Sequence, residues 1–360
     1  MKYGLIFIFI PLFQIIAQSI PVPVIPFSPM SYICYRTEET MTIDGILEEE
    51  SWKKASWTEN FVDIEGPLKP IPRFRTQVKM LWDSAYLYIA AELEEPDVWA
   101  TLTERDAIIF YDNDFEIFID PDGDTHNYYE IELNALNTVW DLLIVKPYRD
   151  GGPAVHGWDI NKLKTGVHVN GTLNIPGDRD QGWNVEVAIP WSALKECTKQ
   201  AIPPRQGDQW RINFSRVEWK TEILNGKYQK VINPMTGKPF PEDNWVWAPQ
   251  GLINIHYPEM WGFLQFSNNI VGTNEDKFAL QPDENIKWLL HQIYYAEINY
   301  FNEHKKFMDS ARLLEILGKT MDNYSKKLSV FLTPNLFEAI IISDDGKTEW
   351  HINQDGRTWR

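Results

Sequence analysis

The stretch DNDFEIFIDPDGDTHNYYEIELN, residues 112–134, decides how the chain is read. Two runs of alternating residues flank a turn rich in Asp and Gly. Successive side chains of an extended strand point to opposite faces. In the run 115–120, Phe115, Ile117 and Ile119 then share one face, and Glu116, Phe118 and Asp120 share the other. In the run 128–134, Tyr129, Ile131 and Leu133 oppose Tyr128, Glu130, Glu132 and Asn134. Paired as a hairpin, the two runs present one wholly apolar face and one that mixes carboxylates, an amide and aromatic rings. The apolar face belongs to the core between two sheets. The second face could hold a metal, do acid–base chemistry, grip a ligand or simply meet water.

Working outward, runs 77–82 and 86–92 flank a turn at Asp83 and Ser84. TVWDLLIVK, GVHVNGTL, GWNVEVAIP and QWRINFSRVEW continue the series. Short strands separated by turn signals predict an all-β fold, an immunoglobulin-like or jelly-roll-type β-sandwich over residues 39–268, and not a βαβ arrangement. After Asn274 the period changes. Ile286, Leu289, Ile293, Ala296 and Tyr300 recur at spacings of three and four, with Pro282 and Asp283 where a helix start wants them. LFEAIIIS, the turn DDGK and TEWHIN predict a hairpin. Residues 269–360 therefore read as a small C-terminal α+β appendage, a long helix plus a hairpin. Prolines at 21, 23, 26 and 29 mark residues 20–38 as an extended linker or edge segment.

The start of the chain has Lys2, an apolar run from Leu5 to Ile16, and the small residues Ala17 and Ser19. That run is near the ~7–15 residues of a signal-peptide core and short of the ~20 needed to span a bilayer. Residues 1–19 are read as a signal peptide, and the mature protein as exported (periplasmic, cell-surface or extracellular) with no stable membrane span. A net charge of −17 argues against nucleic acid and anionic membranes as partners. Cys34 and Cys197 are the two cysteines, too few for a disulfide framework. Aromatics make up 14% of residues, with 16 Trp; much of this excess should be core, and Trp also suits stacking on a sugar ring.

For a metal, Asp120, Asp122 and Asp124 in DPDGD alternate as in a calcium loop. Counted from Asp120, glycine falls at position four instead of six and Ile131 at twelve, so this is no EF-hand. For catalysis, glycoside hydrolysis needs two carboxyls about 5–9.5 Å apart; with 51 acidic residues such pairs arise by chance. No G-x-S-x-G, H-E-x-x-H or Walker-A pattern occurs. Against a merely solvated face stand Phe118 and Tyr128. Rings that stack beside groups that hydrogen-bond hydroxyls are what sugar recognition requires.

A resemblance supports that reading. IDGILEEESWKKASW, VKMLWDSAYLYIAAELEEP, the opening stretch, GWNVEVAIPWSAL, NFSRVEW and WVWAPQGLINIHYPEMWGFLQF, in this order from about Met41 to Phe266, resemble the carbohydrate-binding module family 9 domain in the form found in exported bacterial proteins. The resemblance implies a β-sandwich that binds carbohydrate without catalysis, two rings sandwiching a sugar, and structural calcium. The family's W-x-x-D-x-x-E falls on Phe110, Asn113 and Glu116, so Phe110 or Tyr111 supplies the first ring and Glu116 the carboxylate. Trp247, with Trp219 behind it, is expected to supply the second ring. Family members often carry an arginine on the strand matching 128–134; this strand offers Glu130 and Glu132 instead. Arg149 is a substitute cation from a nearby loop.

The expected saccharide site is thus Glu116, Tyr128, Glu130, Glu132 and Asn134, flanked by Phe110 or Tyr111 and by Trp247, in an accessory protein for glycan recognition or polysaccharide catabolism. Two alternatives stay open: a glycoside hydrolase, or a structural and partner-binding module whose C-terminal helix mediates assembly.

Overall fold

A computed structural model describes residues 19–360; the expected signal peptide lies outside the described residues except for Ser19. Ten strands form the body of one sheet: β1 (Ser31–Arg36), β2 (Thr76–Trp82), β3 (Tyr86–Glu94), β4 (Asp114–Asp120), β5 (Tyr128–Asn134), β6 (Val139–Ile144), β7 (Lys164–Asn170), β8 (Gly182–Pro190), β9 (Gln209–Glu218) and β10 (Gly262–Ile270). Their spatial order is β6-β5-β4-β9-β10-β1-β2-β3-β8-β7. The sheet folds over so that its two halves share one core. Val78, Met80, Ile89 and Val187 from one half meet Phe115, Ile117, Ile131 and Phe214 from the other. This is the β-sandwich that the alternating pattern predicts.

Strand β1 joins the halves, and it corrects the reading of residues 20–38 as a linker. It pairs in parallel with both β10 and β2, while the other body pairs are antiparallel. The prolines stop at Pro29, and SYICYR then alternates so that Tyr32 and Cys34 enter the core. The proline-rich part is extended but packed: Phe27 stacks on Trp288 with ring centroids 4.8 Å apart, and the Tyr257 hydroxyl donates to the Pro21 carbonyl. Both cysteines are buried free thiols.

The opening stretch forms the expected hairpin. Glu116 lies opposite Glu132, Phe118 opposite Glu130, and Asp114 opposite Asn134. Phe115, Ile117, Ile119, Tyr129, Ile131 and Leu133 are all fully buried in the sandwich core. The C-terminal part holds α1 (Glu284–His304), α2 (Ser310–Leu317) and a four-stranded sheet of β11 (Leu328–Leu332), β12 (Phe337–Ile342), β13 (Glu349–Asn353) and β14 (Thr358–Trp359). Strands β12 and β13 are the predicted hairpin. Ile286, Leu289 and Ile293 of α1 pack into a second core with Phe337, Ile341 and Ile352. Among the described residues no helix is long and apolar enough to cross a membrane.

Candidate functional site

The pleat puts Asp114, Glu116, Phe118 and Asp120 of β4 on the same side as Asn134, Glu132, Glu130 and Tyr128 of β5, with Trp140, Leu142 and Ile144 of β6 and Ser215 of β9 beside them. This face does not lie open to water. Ile109 and Phe110, together with Ile255 and Trp261, roof it and bury Phe118, Tyr128, Leu142 and Ile144 in an apolar cluster. The face therefore divides into an apolar half under that roof and an acidic half at its edge.

Four carboxylates make up the acidic half: Asp114, Glu116, Glu130 and Glu132. Asp114 is fully buried, and Glu116 and Glu130 keep 6% and 4% of their surface in contact with solvent. Asp114 Oδ1 accepts from the Val217 N–H at 3.1 Å, and Glu132 Oε2 from the Phe110 N–H at 3.1 Å. Asp114 Oδ2 and Glu130 Oε2 are buried without a hydrogen-bond partner. Burial pushes Glu116 up to about 7 and the other three well above the usual carboxylate range. Neighbouring acids add to the rise; the charge acting on Glu130 is Glu116, and that acting on Glu116 is Glu242.

Aromatic side chains adjoin the acidic half through Phe110, whose N–H donates to Glu132. Tyr111 is half exposed, and its ring lies 4.9 Å from that of Phe110. Trp219 donates from Nε1 to the Phe110 carbonyl at 2.8 Å, which fixes its plane. Lys230, from a two-stranded hairpin (Thr221–Leu224 and Lys227–Lys230), places its ammonium 3.3 Å from the Trp219 ring centre and 5.6 Å from that of Tyr111. Burial lowers Lys230 to about 8. Tyr148 is close enough to Glu130 and Glu132 for their charge to add to the burial that raises its hydroxyl to about 12.

Several expected site residues are elsewhere or otherwise employed. Trp247 is a core residue: it is 1% exposed, packs against Phe214, and leaves Gly262 so little room that a Cβ there would come within 2.5 Å of its ring. Its neighbour Trp245 also faces the sandwich core, and no free ring face is left for a sugar. The Arg149 side chain is buried beneath the roof, 2.9 Å from Glu259 and over the Tyr257 ring at 4.1 Å, where it joins the sandwich to α1. Asn134 holds a turn, donating to the Leu102 carbonyl and accepting from Leu136 and Thr138. The Tyr128 hydroxyl meets His256 Nδ1 at 2.9 Å inside the apolar half. Phe110, Tyr111, Glu116, Glu130, Glu132 and Trp219 do come together. Asp114 was legible as the residue two before Glu116; Tyr148, Lys230 and Glu242 come from segments remote in sequence that carry no signal of their meeting.

The Asp120, Asp122 and Asp124 oxygens do converge to within 4.8 Å, at the opposite end of β4. Asp120 is spent on the Gly123 and Thr125 amides, and Asp124 on the His126 amide and on Arg357 Nε at 2.9 Å. Lys287 lowers the acidity cost at both Asp122 and Asp124. The donor set fits calcium poorly, because the chain's own cations already occupy its charge.

A family model described as carbohydrate family 9 binding domain-like matches residues 43–213. A segment of 91 residues is 33% identical to endo-1,4-beta-xylanase C of Paenibacillus barcinonensis; it covers 25% of this chain but only 8% of that enzyme. Among solved structures, a Bacteroides uniformis protein to which carbohydrate binding has been ascribed superposes with a TM-score of 0.48 at 17% identity, over 67% of this chain and all of that one. A family 9 module from Caldicellulosiruptor kristjanssonii in complex with cellotriose gives 0.41 at 15%, over 70% of this chain and all of the module. Over residues 43–213 this chain is thus similar to the carbohydrate family 9 binding domain-like family.

Proposed function

We propose that the chain binds a saccharide without turning it over, where Tyr111, Phe110 and Trp219 adjoin the row of acids that includes Glu116, and that it serves as an exported accessory protein in glycan capture. The observation that carries this is the meeting of an oriented indole, a half-exposed phenol and a row of carboxylates at one edge of a family 9 domain. A sugar offers an apolar ring face to the aromatics and hydroxyls to the acids. Lys230 now covers one face of Trp219 and is the group that a stacked ring would displace.

The arrangement does not favour hydrolysis. Glycosidase carboxyls flank the scissile bond from two sides. Here Glu116 and Glu132 are a cross-strand pair on one face, and their neighbours sit on the same two strands. One or two stacked rings and a few charged hydrogen bonds, less the cost of ordering, give affinities of roughly micromolar to millimolar. Calorimetric titration with cello- and xylo-oligosaccharides, run beside a reducing-end assay, tests the reading. Binding in that range with no sugar released is expected. Turnover that disappears in Glu116→Gln, or no binding by any glycan of a broad panel, would overturn it.

A further inference from the structure

Among the described residues three groups of acids bring an oxygen from each member to within 4.8 Å of the others: Asp106, Asp141 and Asp159; Asp120, Asp122 and Asp124; and Asp114, Glu116 and Glu132. The first two carry their own cations. Arg105 bridges Asp141 and Asp159, with the latter contact at 2.9 Å. Arg357 and Lys287 serve the second group. The third is the most buried and has none. Among the described residues no ion pair reaches Asp114, Glu116, Glu130 or Glu132, and the charges that act on Glu116 and Glu130 are themselves carboxylates.

Acids gathered out of water need a reason. Asp114 Oδ2 and Glu130 Oε2 are buried and unpartnered, and such orphan acceptors are costly. We propose that Asp114, Glu116 and Glu132, with Glu130 beside them, bind one hard divalent cation of calcium type, and that this cation meets the ligand's hydroxyls. The donor set is all oxygen, which selects for calcium, magnesium or manganese over softer metals. Oxygens on opposite sides of a calcium ion lie about 4.6–5.2 Å apart, so the observed convergence fits one coordination sphere. The slight exposure of Glu116 and Glu130 leaves one side of that sphere within reach of solvent. Two neighbouring sugar hydroxyls can fill it, since the flexible calcium shell accepts neutral oxygens readily. The cation site stands on the geometry alone; the hydroxyl contact rests on the saccharide reading above.

The test uses the full mature chain stripped with a chelator and then titrated with Ca²⁺ alone and with Mg²⁺ alone, by calorimetry and thermal melting. One Ca²⁺ site with a rise in melting temperature is expected. Asp114→Asn and Glu132→Gln should each weaken it by at least about tenfold, since affinity follows the number of charged ligands, while Asp122→Asn and Asp159→Asn leave it unchanged. Melting of each variant in chelator checks folding. No Ca²⁺ binding by the wild type, equal binding by Glu132→Gln and Asp114→Asn, or loss on Asp122→Asn would overturn the site. Oligosaccharide titrations with Ca²⁺ and with chelator give the second arm, and a loss of at least about tenfold in chelator is expected. Calcium binding with sugar affinity indifferent to chelator would overturn the hydroxyl contact. Calcium binding with no sugar bound under either condition would overturn the saccharide reading and leave the cation site standing. Tight binding of glucosamine in chelator would overturn the cation and assign the acids to an ammonium group.

Discussion

Glu116→Gln should make the cation-free protein more stable, and only at neutral and alkaline pH. Burial raises Glu116 from 4.5 to about 7. The folded state therefore holds a proton that the unfolded chain has already lost between those two values. Stability falls as pH rises through that window, because the unfolded state binds fewer protons there. A difference of about 2.5 pH units at 1.36 kcal/mol each is about 3 kcal/mol. Gln keeps the shape and cannot ionise. The variant should match or fall slightly below wild type at pH 4 and exceed it by up to about 3 kcal/mol at pH 8. Other acids bend the total pH profile too; burial also raises Glu186 and Glu297 to about 7. The difference between variant and wild type is therefore the quantity to read, from urea midpoints in excess chelator at constant m. A variant-minus-wild-type difference that stays flat from pH 4 to pH 8 would refute the reasoning. Saturating Ca²⁺ should reverse the wild-type trend, because the ligands must lose their protons to bind.

Two further outcomes separate site from scaffold. Trp219→Phe, which keeps much of the apolar contact of this 9% exposed ring, should weaken oligosaccharide binding several-fold beyond its effect on stability, whereas Trp247→Ala should cost about 3–5 kcal/mol of stability by opening a core cavity; both are read by pairing calorimetry with urea unfolding. Arg149→Met should destabilise the protein by about 3–5 kcal/mol, because it leaves Glu259 buried and unpaired, and adding Glu259→Gln should recover part of that loss in a double-mutant cycle.

Much of the sandwich was legible because its signal is local. Phe115, Ile117 and Ile119 alternate with acids, and the pleat alone assigns their faces. The second face misled because its solvent exposure is set from far away. Ile109 and Trp261 close over it, and no pattern within residues 112–134 announces a roof. Residues 20–38 were misread because four prolines dominate their composition, while the six residues after them alternate like any strand. Trp247 and Trp219 look alike in sequence. What separates them is the course of the chain after Val246, which carries Trp247 into the core, and the Phe110 carbonyl that pins Trp219 at the edge. Arg149 could not be placed without Glu259, 110 residues further on.

The distribution of charge along β4 bears on the remaining alternative, that the C-terminal helix serves assembly. Seven residues of strand put its two acidic ends about 20 Å apart. At the Asp120 end the C-terminal part supplies the cations: Arg357 pairs with Asp124, and Lys287 sits over the turn within reach of the Gly123 carbonyl. The same part takes charge in return. Arg211 of β9 pairs with Glu284 at the start of α1 at 2.9 Å, and the Tyr295 hydroxyl donates to Glu259, which also holds Arg149. The inner face of α1 is thus spent on its own sandwich and its own sheet, and these buried pairs lock one orientation of the two parts. Cutting the chain after Asn274 would strip Arg357 from Asp124, Tyr295 from Glu259 and Glu284 from Arg211 at once. Loss of function in such a truncation would report a damaged sandwich as readily as a missing assembly surface. Point substitutions at the Asp114 end, where among the described residues no hydrogen bond or ion pair joins the C-terminal part to the carboxylates, separate the two readings.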